Sequence, residues 1–177
     1  MKENIKVLKE RLHKLNTKKN QKRLIIYLIA ILIFTIDLIS KTMILKKGNV
    51  LLNKEVIPNF FYIKYSTNTG GAFSILSNYT TILIILGIFA LVIIDQACIK
   101  DKMNKLEITY TSFLIGGIFG NLVDRVFRGH VIDFLSFIIF GYNFPIFNVA
   151  DIFITVGAIL FIIDIIRGEK HDRKRNW

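Results

Sequence analysis

Apolar residues run in four long stretches along this chain, separated by shorter polar segments. The first runs from Leu24 to about Leu45 and is broken by Asp37 and Lys41. The second, Tyr79 to Ile99, is broken only by Asp95. The third, Ile108 to Val123, carries no charge, and the fourth, about Ile146 to Ile166, has Asp151 and Asp164 near its ends. At ~1.5 Å per residue each can cross a hydrocarbon layer of ~30 Å once its polar ends are included. The pattern predicts four transmembrane helices. A cleaved signal peptide fits the first stretch poorly, because no small-x-small site follows it and three more spans do. Between the first two spans, Val56 to Tyr65 is rich in β-branched and aromatic residues and predicts one or two short strands. Phe134 to Phe147 is apolar enough to lie in the membrane interface.

Composition agrees with the pattern. Hydrophobic residues make up 53% of 177 positions, with 15 Phe and 2 Pro. That excludes disorder, and it exceeds what a soluble domain of this size can bury. The single cysteine, Cys98, excludes a disulfide framework and a thiolate cluster within one chain. The net charge of +11 raises nucleic acid as a partner, but the charge sits at the ends. Nine Lys/Arg fall within residues 1–23 and five within 167–177. Together with the 100–107 loop, these segments hold seventeen basic residues in about 42 positions, against six in about 56 for 46–78 and 124–146. The positive-inside rule therefore puts both termini in the cytoplasm and the two longer loops outside. It also accounts for the charge without nucleic acid, and no nucleic-acid partner is expected. Three parts follow: a basic extension (1–23), a membrane domain (24–166) and a basic tail (167–177). Ile5, Leu8, Leu12 and Leu15 recur at helical spacing among lysines, as in an amphipathic helix on an anionic leaflet.

This topology brings polar residues to one depth. Asp37 and Lys41 fall at the outer end of the first helix. Asn121, Asp124 and Arg125 fall at the outer end of the third, and Asn148 and Asp151 at the outer start of the fourth. Asn68 and Ser74 precede the second helix, and Asp133 lies in the last outer loop. Ionisable groups at membrane depth cost several kcal/mol and commonly mark function. Asp95 and Asp164 show the bland case, near inner ends with basic residues close by to pair with. His13, His130 and His171 are scattered, so no metal site or cofactor is expected. A serine triad would need Ser74 or Ser136 beside His130, a minor alternative. Gly116 and Gly120 form a GxxxG that lets helices pack closely.

Carboxylates remain. Two of them held a few Å apart do not both ionise easily, so one donates a proton while the other accepts one from water. Such a pair hydrolyses a peptide bond without metal or nucleophilic side chain. Asp124 has Arg125 beside it and Arg128 a turn on, which suits an orienting ion pair. Asp151 starts a helix with Asn148 as its cap, and the helix dipole favours its ionised form. Asp133 sits among Val131, Ile132, Phe134 and Leu135, an apolar setting that suits a proton donor. Asp133 and Asp151 are the first choice. Which is acid and which is base depends on coupled titration.

The blocks IDLISK (36–41), NTGGAFSIL (68–76), GGIFGNLVDRVFRGHVIDF (116–134) and FNVADIFITVG (147–157) resemble those of the lipoprotein signal peptidases, signal peptidase II, in order and spacing. Thr67 stands where many relatives have Arg, and Gly71–Ala72 replaces the usual small pair. The resemblance implies four transmembrane helices plus a small extracytoplasmic β-cradle and a short interfacial helix, an all-α integral membrane class. It implies an aspartic endopeptidase of the bacterial cytoplasmic membrane that cuts prolipoproteins just before a diacylglyceryl-modified cysteine. Asp133 and Asp151 would be the catalytic dyad. Asp37, Lys41, Asn68, Gly70, Asn121, Asp124, Arg125 and Asn148 would support the site or bind substrate. Membrane lipids and the inhibitor globomycin are implied partners, and a monomer is expected. A small proton-coupled transporter and a non-enzymatic assembly protein are the alternatives. The first needs a polar path through the bilayer, which the helix middles do not provide.

Overall fold

The computed structural model describes residues 2–47, 53–71, 79–98 and 103–173. Its elements, in chain order, are α1 (Lys2–Lys47), β1 (Lys54–Ile57), β2 (Phe61–Asn68), α2 (Thr80–Ala97), α3 (Lys105–Arg128), β3 (Val131–Ile139), β4 (Tyr142–Asn143) and α4 (Val149–Arg173). Among the described residues, four segments are long and apolar enough to cross a membrane: Asn20–Lys47, Thr80–Ala97, Lys105–Arg128 and Val149–Gly168. The four expected spans are therefore all present. α1 runs unbroken from the basic extension into the first span. The side chains of Ile5, Leu8, Leu12 and Leu15 lie outside the described residues, as do Ser74 and Ala72.

α3 is the centre of the bundle, with α1, α2 and α4 packed against it. Its start is fixed by a capping box: Asn104 Oδ1 accepts from Glu107 N (2.9 Å), and Glu107 Oε2 accepts from Asn104 N (2.6 Å). Its end is Gly129, at φ 76°, a left-handed cap that glycine adopts freely. Small residues set how close its neighbours come. A Cβ on Gly116 would stand 2.8 Å from the Ala30 carbonyl oxygen of α1, and one on Gly117 would stand 2.7 Å from the Ala150 carbonyl oxygen of α4. The GxxxG expectation holds, and Gly117 extends it to a second helix. Edge-on rings lock the same two seams, Phe34 with Phe119 and Phe113 with Phe153, each 5.0 Å between centroids.

The helices show apolar side chains outward, including Leu28, Leu32, Ile85, Phe89 and Ile162, while their buried positions include Asp37, Lys41, Thr111, Ser112, Asn121 and Asp124. Lipid, rather than a protein core, covers that apolar surface. At the end of the helices away from the sheet, Arg23 of α1 pairs with Asp95 of α2 (3.1 Å), and Tyr27 also donates to Asp95. Asp95 thus has the basic partner expected. Asp164 instead accepts from the Tyr110 hydroxyl (3.4 Å). Cys98 is buried there with Ile26 and Met103.

At the other end the chain forms an antiparallel sheet in the order β1-β2-β3-β4. β2 pairs with β3 from Phe61↔Phe137 to Asn68↔Val131, with an irregularity between Ile63 and Ser66. The expected strands in Val56–Tyr65 are β1 and β2. The short interfacial helix that the resemblance implied does not fall in the apolar 134–147 segment, which holds most of β3, all of β4 and a bridge from Leu135 to Phe147. β3 is covered on both faces at its start, Val131 to Phe134 being buried, so its run of apolar residues lacks the alternation of a one-sided strand. Ile132 and Phe134 pack with Ile44 of α1, seating the sheet on the bundle.

Candidate active site

Three elements converge where the sheet meets the helices. β3 leaves the end of α3 after the Gly129 turn, which brings Asp133 back over the bundle. α4 begins beneath it. Asn148 caps α4, its Oδ1 accepting from Asp151 N (3.0 Å), while Asp151 Oδ2 accepts from Asn148 N (3.1 Å). The sequence expectation of an Asn148 cap holds, and the bond is reciprocal.

The remaining Asn148 donors join the two carboxylates. Its Nδ2 donates to Asp133 Oδ1 (2.7 Å) and to Asn121 Oδ1 (3.2 Å). Asn121 Nδ2 in turn donates to Asp151 Oδ1 (2.7 Å). Asp133 Oδ2 accepts from Asn68 Nδ2 of β2 (3.1 Å). Both carboxylates are therefore met by amide N–H donors, and Asn148 lies between them.

Asp133 is 3% exposed. Burial pushes its carboxyl up to about 6, and the neighbouring charge of Asp151 pushes the same way; the amides of Asn68 and Asn148 and the charge of Lys41 oppose them.

Behind this layer lies a buried ionic one. Lys41 Nζ donates to Asp37 Oδ2 (2.6 Å) and Asn121 Oδ1 (3.0 Å) and forms an ion pair with Asp124 Oδ2 (2.9 Å). Asp37 Oδ1 also accepts from Ala150 N (2.9 Å), and Asp124 accepts from Arg128 and from Ile132 N (3.4 Å). Asp37 enters because residue 120 is glycine: a Cβ there would stand 2.7 Å from Asp37 Oδ2. Arg125 does not pair with Asp124, its sequence neighbour. Its Nη2 donates to the Gly70 carbonyl (2.7 Å) and its Nη1 to the Asn121 carbonyl (3.3 Å), while its buried Nε has no partner among the described residues. Gly70 N donates to Asn68 Oδ1 (2.9 Å), which turns the Asn68 amide nitrogen toward Asp133.

All ten expected site residues thus fall in one connected network. Sequence reasoning read Gly120 only as a helix-packing glycine and did not see the backbone donors Ala150 N and Ile132 N. The GGIFG run carried a signal for the glycine; nothing in the sequence marks a backbone donor. Ser136 lies three residues beyond Asp133 on β3, on the other face of the strand and opposite Tyr62, which does not suit the serine alternative. Among the described residues, no group of three or more His, Cys, Asp or Glu is placed to hold a metal ion.

Asp133 and Asp151 open onto one cavity of about 530 Å³. Asn68, Asn121 and Arg125 also line it. Its other walls are mostly apolar: Leu83 and Gly87 of α2, Ile118 and Leu122 of α3, Ile154 and Val156 of α4, and the Phe144–Phe147 segment. A greasy trough with carboxylates and amides at one end suits an amphiphilic ligand.

Four spanning helices, a small sheet and a carboxylate-lined cavity define a polytopic membrane enzyme. Residues 29–167 match the family model for signal peptidase II. The lipoprotein signal peptidase of Staphylococcus aureus strain MRSA252 is 37% identical over 149 residues, covering 84% of this chain and 91% of the relative, and that of strain JH9 is 36% identical over the same length. A solved bacterial membrane enzyme, determined by the in meso method at 2.3 Å resolution, superposes with a TM-score of 0.77 at 37% identity, covering 82% of this chain and 90% of that one. A second, at 1.9 Å resolution, gives a TM-score of 0.71 at 39% identity, covering 79% and 91%. The chain belongs to the signal peptidase II family and is a bacterial multi-pass membrane peptidase. The transporter and assembly-protein alternatives are not favoured.

Proposed function

We propose that this chain is an aspartic peptidase whose dyad is Asp133 and Asp151, and that it removes the signal peptide of prolipoproteins immediately before a diacylglyceryl-modified cysteine. One observation carries the proposal: two carboxylates, bridged by Asn148, face one cavity, and burial pushes one of them up to about 6. In this reading Asp133, the raised group, serves as the proton donor, and Asp151, met by Asn121 Nδ2 and Asn148 N, as the base that activates water.

The steps balance. Asp151 takes a proton from a water as its oxygen bonds to the scissile carbonyl carbon. Asp133 gives its proton to the carbonyl oxygen, forming a gem-diol. Asp151 then returns its proton to the amide nitrogen, the C–N bond breaks, and Asp133 regains a proton from the diol. The products are a peptide carboxylic acid and the free amine of the lipidated cysteine. The apolar trough would hold the acyl chains and signal-peptide side chains, positioning the bond against the dyad.

Both termini are taken as cytoplasmic from the Lys/Arg asymmetry, which places the dyad near the outer leaflet. Within that topology the enzyme acts as a monomer among membrane lipids, and globomycin would occupy the same cavity.

The test is cleavage of a diacylglyceryl-modified prolipoprotein by purified enzyme, followed by mass. The wild type and Asp95→Asn are expected to cleave; Asp133→Asn and Asp151→Asn are expected to lose at least about 10³-fold, the scale of losing a general acid or base. Near wild-type cleavage by Asp133→Asn would move the role to Asp124. No cleavage of lipidated substrate by the wild type would overturn the proposal.

A further inference from the structure

The β3–β4 hairpin turns on two residues, Phe140 and Gly141, since Ile139 pairs with Tyr142. Both have positive φ, 50° and 78°. Such a turn matches the twist of the strands but favours Asn-Gly or Gly-Gly, because a bulky side chain at positive φ crowds its own backbone. Gly141 suits it and Phe140 does not. The Phe140 ring is also fully exposed. The chain thus places an apolar ring where backbone and hydration both oppose it.

The base of the hairpin is packed with rings. Phe137 stacks on Phe61 (4.7 Å between centroids) and on Phe147 (5.7 Å), and Phe60 meets it edge-on (5.5 Å). The tip is held out from that base. Ile139, Tyr142 and Phe144 are exposed around it. Exposed Phe60 and Ile57 join from the β1–β2 turn, tied in by Ile138 N donating to the Phe60 carbonyl (2.9 Å).

No charged residue lies between Asp133 and Asp151. A surface meant for water or for a charged partner carries charge; this one carries aromatic and aliphatic rings and chains, as membrane proteins do at headgroup level. Val126 and Phe127 are exposed at the end of α3 from which β3 springs, so apolar side chains are exposed at both ends of this strand.

We propose that the Phe140 tip is seated in the leaflet at the site end of the bundle, as an anchor for the sheet. Phe144 and Phe147 carry the hairpin into the cavity wall. Anchoring the tip therefore fixes the height of the rim past which a ligand enters from the membrane. The inference does not depend on which carboxylates are catalytic.

The test is fluorescence. The natural chain has one tryptophan, Trp177. In a Trp177→Phe background, Phe140→Trp is reconstituted into phosphatidylcholine vesicles with bromines near the top of the acyl chains. Loss of most of the indole emission of that variant, with weak quenching by aqueous acrylamide, is expected. Unchanged emission in brominated lipid with full acrylamide quenching would overturn the proposal. Shielding that disappears as protein is diluted in lipid would assign the tip to a second copy and overturn it too. Should Phe140→Trp not fold, Tyr142→Trp, at ordinary φ on the same tip, reports the same contact. None of these readouts requires cleavage, so they stand or fall apart from the dyad.

Discussion

Lys41 can only donate hydrogen bonds, so the atom of Asn121 that faces it must be the oxygen. The Asn121 nitrogen is thereby turned to Asp151. The same logic runs through Gly70 N and Asn68, whose nitrogen is turned to Asp133. Removing the lysine leaves two carboxylates buried without their shared cation. Lys41→Met is expected to destabilise the enzyme by about 3–5 kcal/mol, the scale of breaking a buried ion pair from one side. Adding Asp37→Asn and Asp124→Asn should recover much of that; thermal unfolding in detergent measures both. Asp133 also predicts a pH dependence. In the proposed donor role it must be protonated, so kcat/KM is expected to fall as pH rises through about 6. Asn68 stabilises the ionised form, and Asn68→Ala is expected to move that limb to higher pH. A limb that stays put, or moves down, would deny Asp133 the donor role. At this scale the carboxylates, amides and Lys41 were legible as a set, because the charge pattern put them at one depth. Their bonds were not legible, because the partners of Lys41 come from two helices far apart in the chain.

The helices were legible from hydropathy alone, since each spans lipid and must satisfy its own backbone. The strands were legible only in part. β2 shows its β-branched and aromatic run. The start of β3 is buried on both faces and reads as a featureless apolar run, and β4 has two residues. Helix seams carry a sharper signal. Gly120 leaves room for the Asp37 carboxylate, which Lys41 and Ala150 N hold in place. Gly120→Ala is expected to lose about 1–3 kcal/mol, the usual scale of overpacking, and to lower kcat with it. Gly168→Ala, on α4 with nothing within 4 Å of the added carbon, is expected to be neutral or stabilising by up to about 1 kcal/mol. Unfolding midpoints of the two variants against wild type separate a packing glycine from a merely permissive one.

Across the whole molecule, charge and chemistry are segregated along the membrane normal. Basic residues crowd the side of the 100–107 loop, and the carboxylate network lies at the opposite end of the helices, under the sheet. The proposed orientation puts the carboxylate end outside, where water would reach a bond held near the membrane surface. The orientation is testable with the single cysteine removed. In a Cys98→Ser background, serine can keep the bond that Cys98 makes to the Ile94 carbonyl. A cysteine placed at Asn53, beside β1, is expected to react with a membrane-impermeant maleimide on intact cells. One placed at Lys105, at the start of α3, is expected to react only after lysis. The reverse pattern would put the dyad at the cytoplasmic face. There, a peptidase of this design would meet prolipoproteins before export, and the lysine and arginine clusters would have to cross the membrane, against the bias that sets orientation in such proteins.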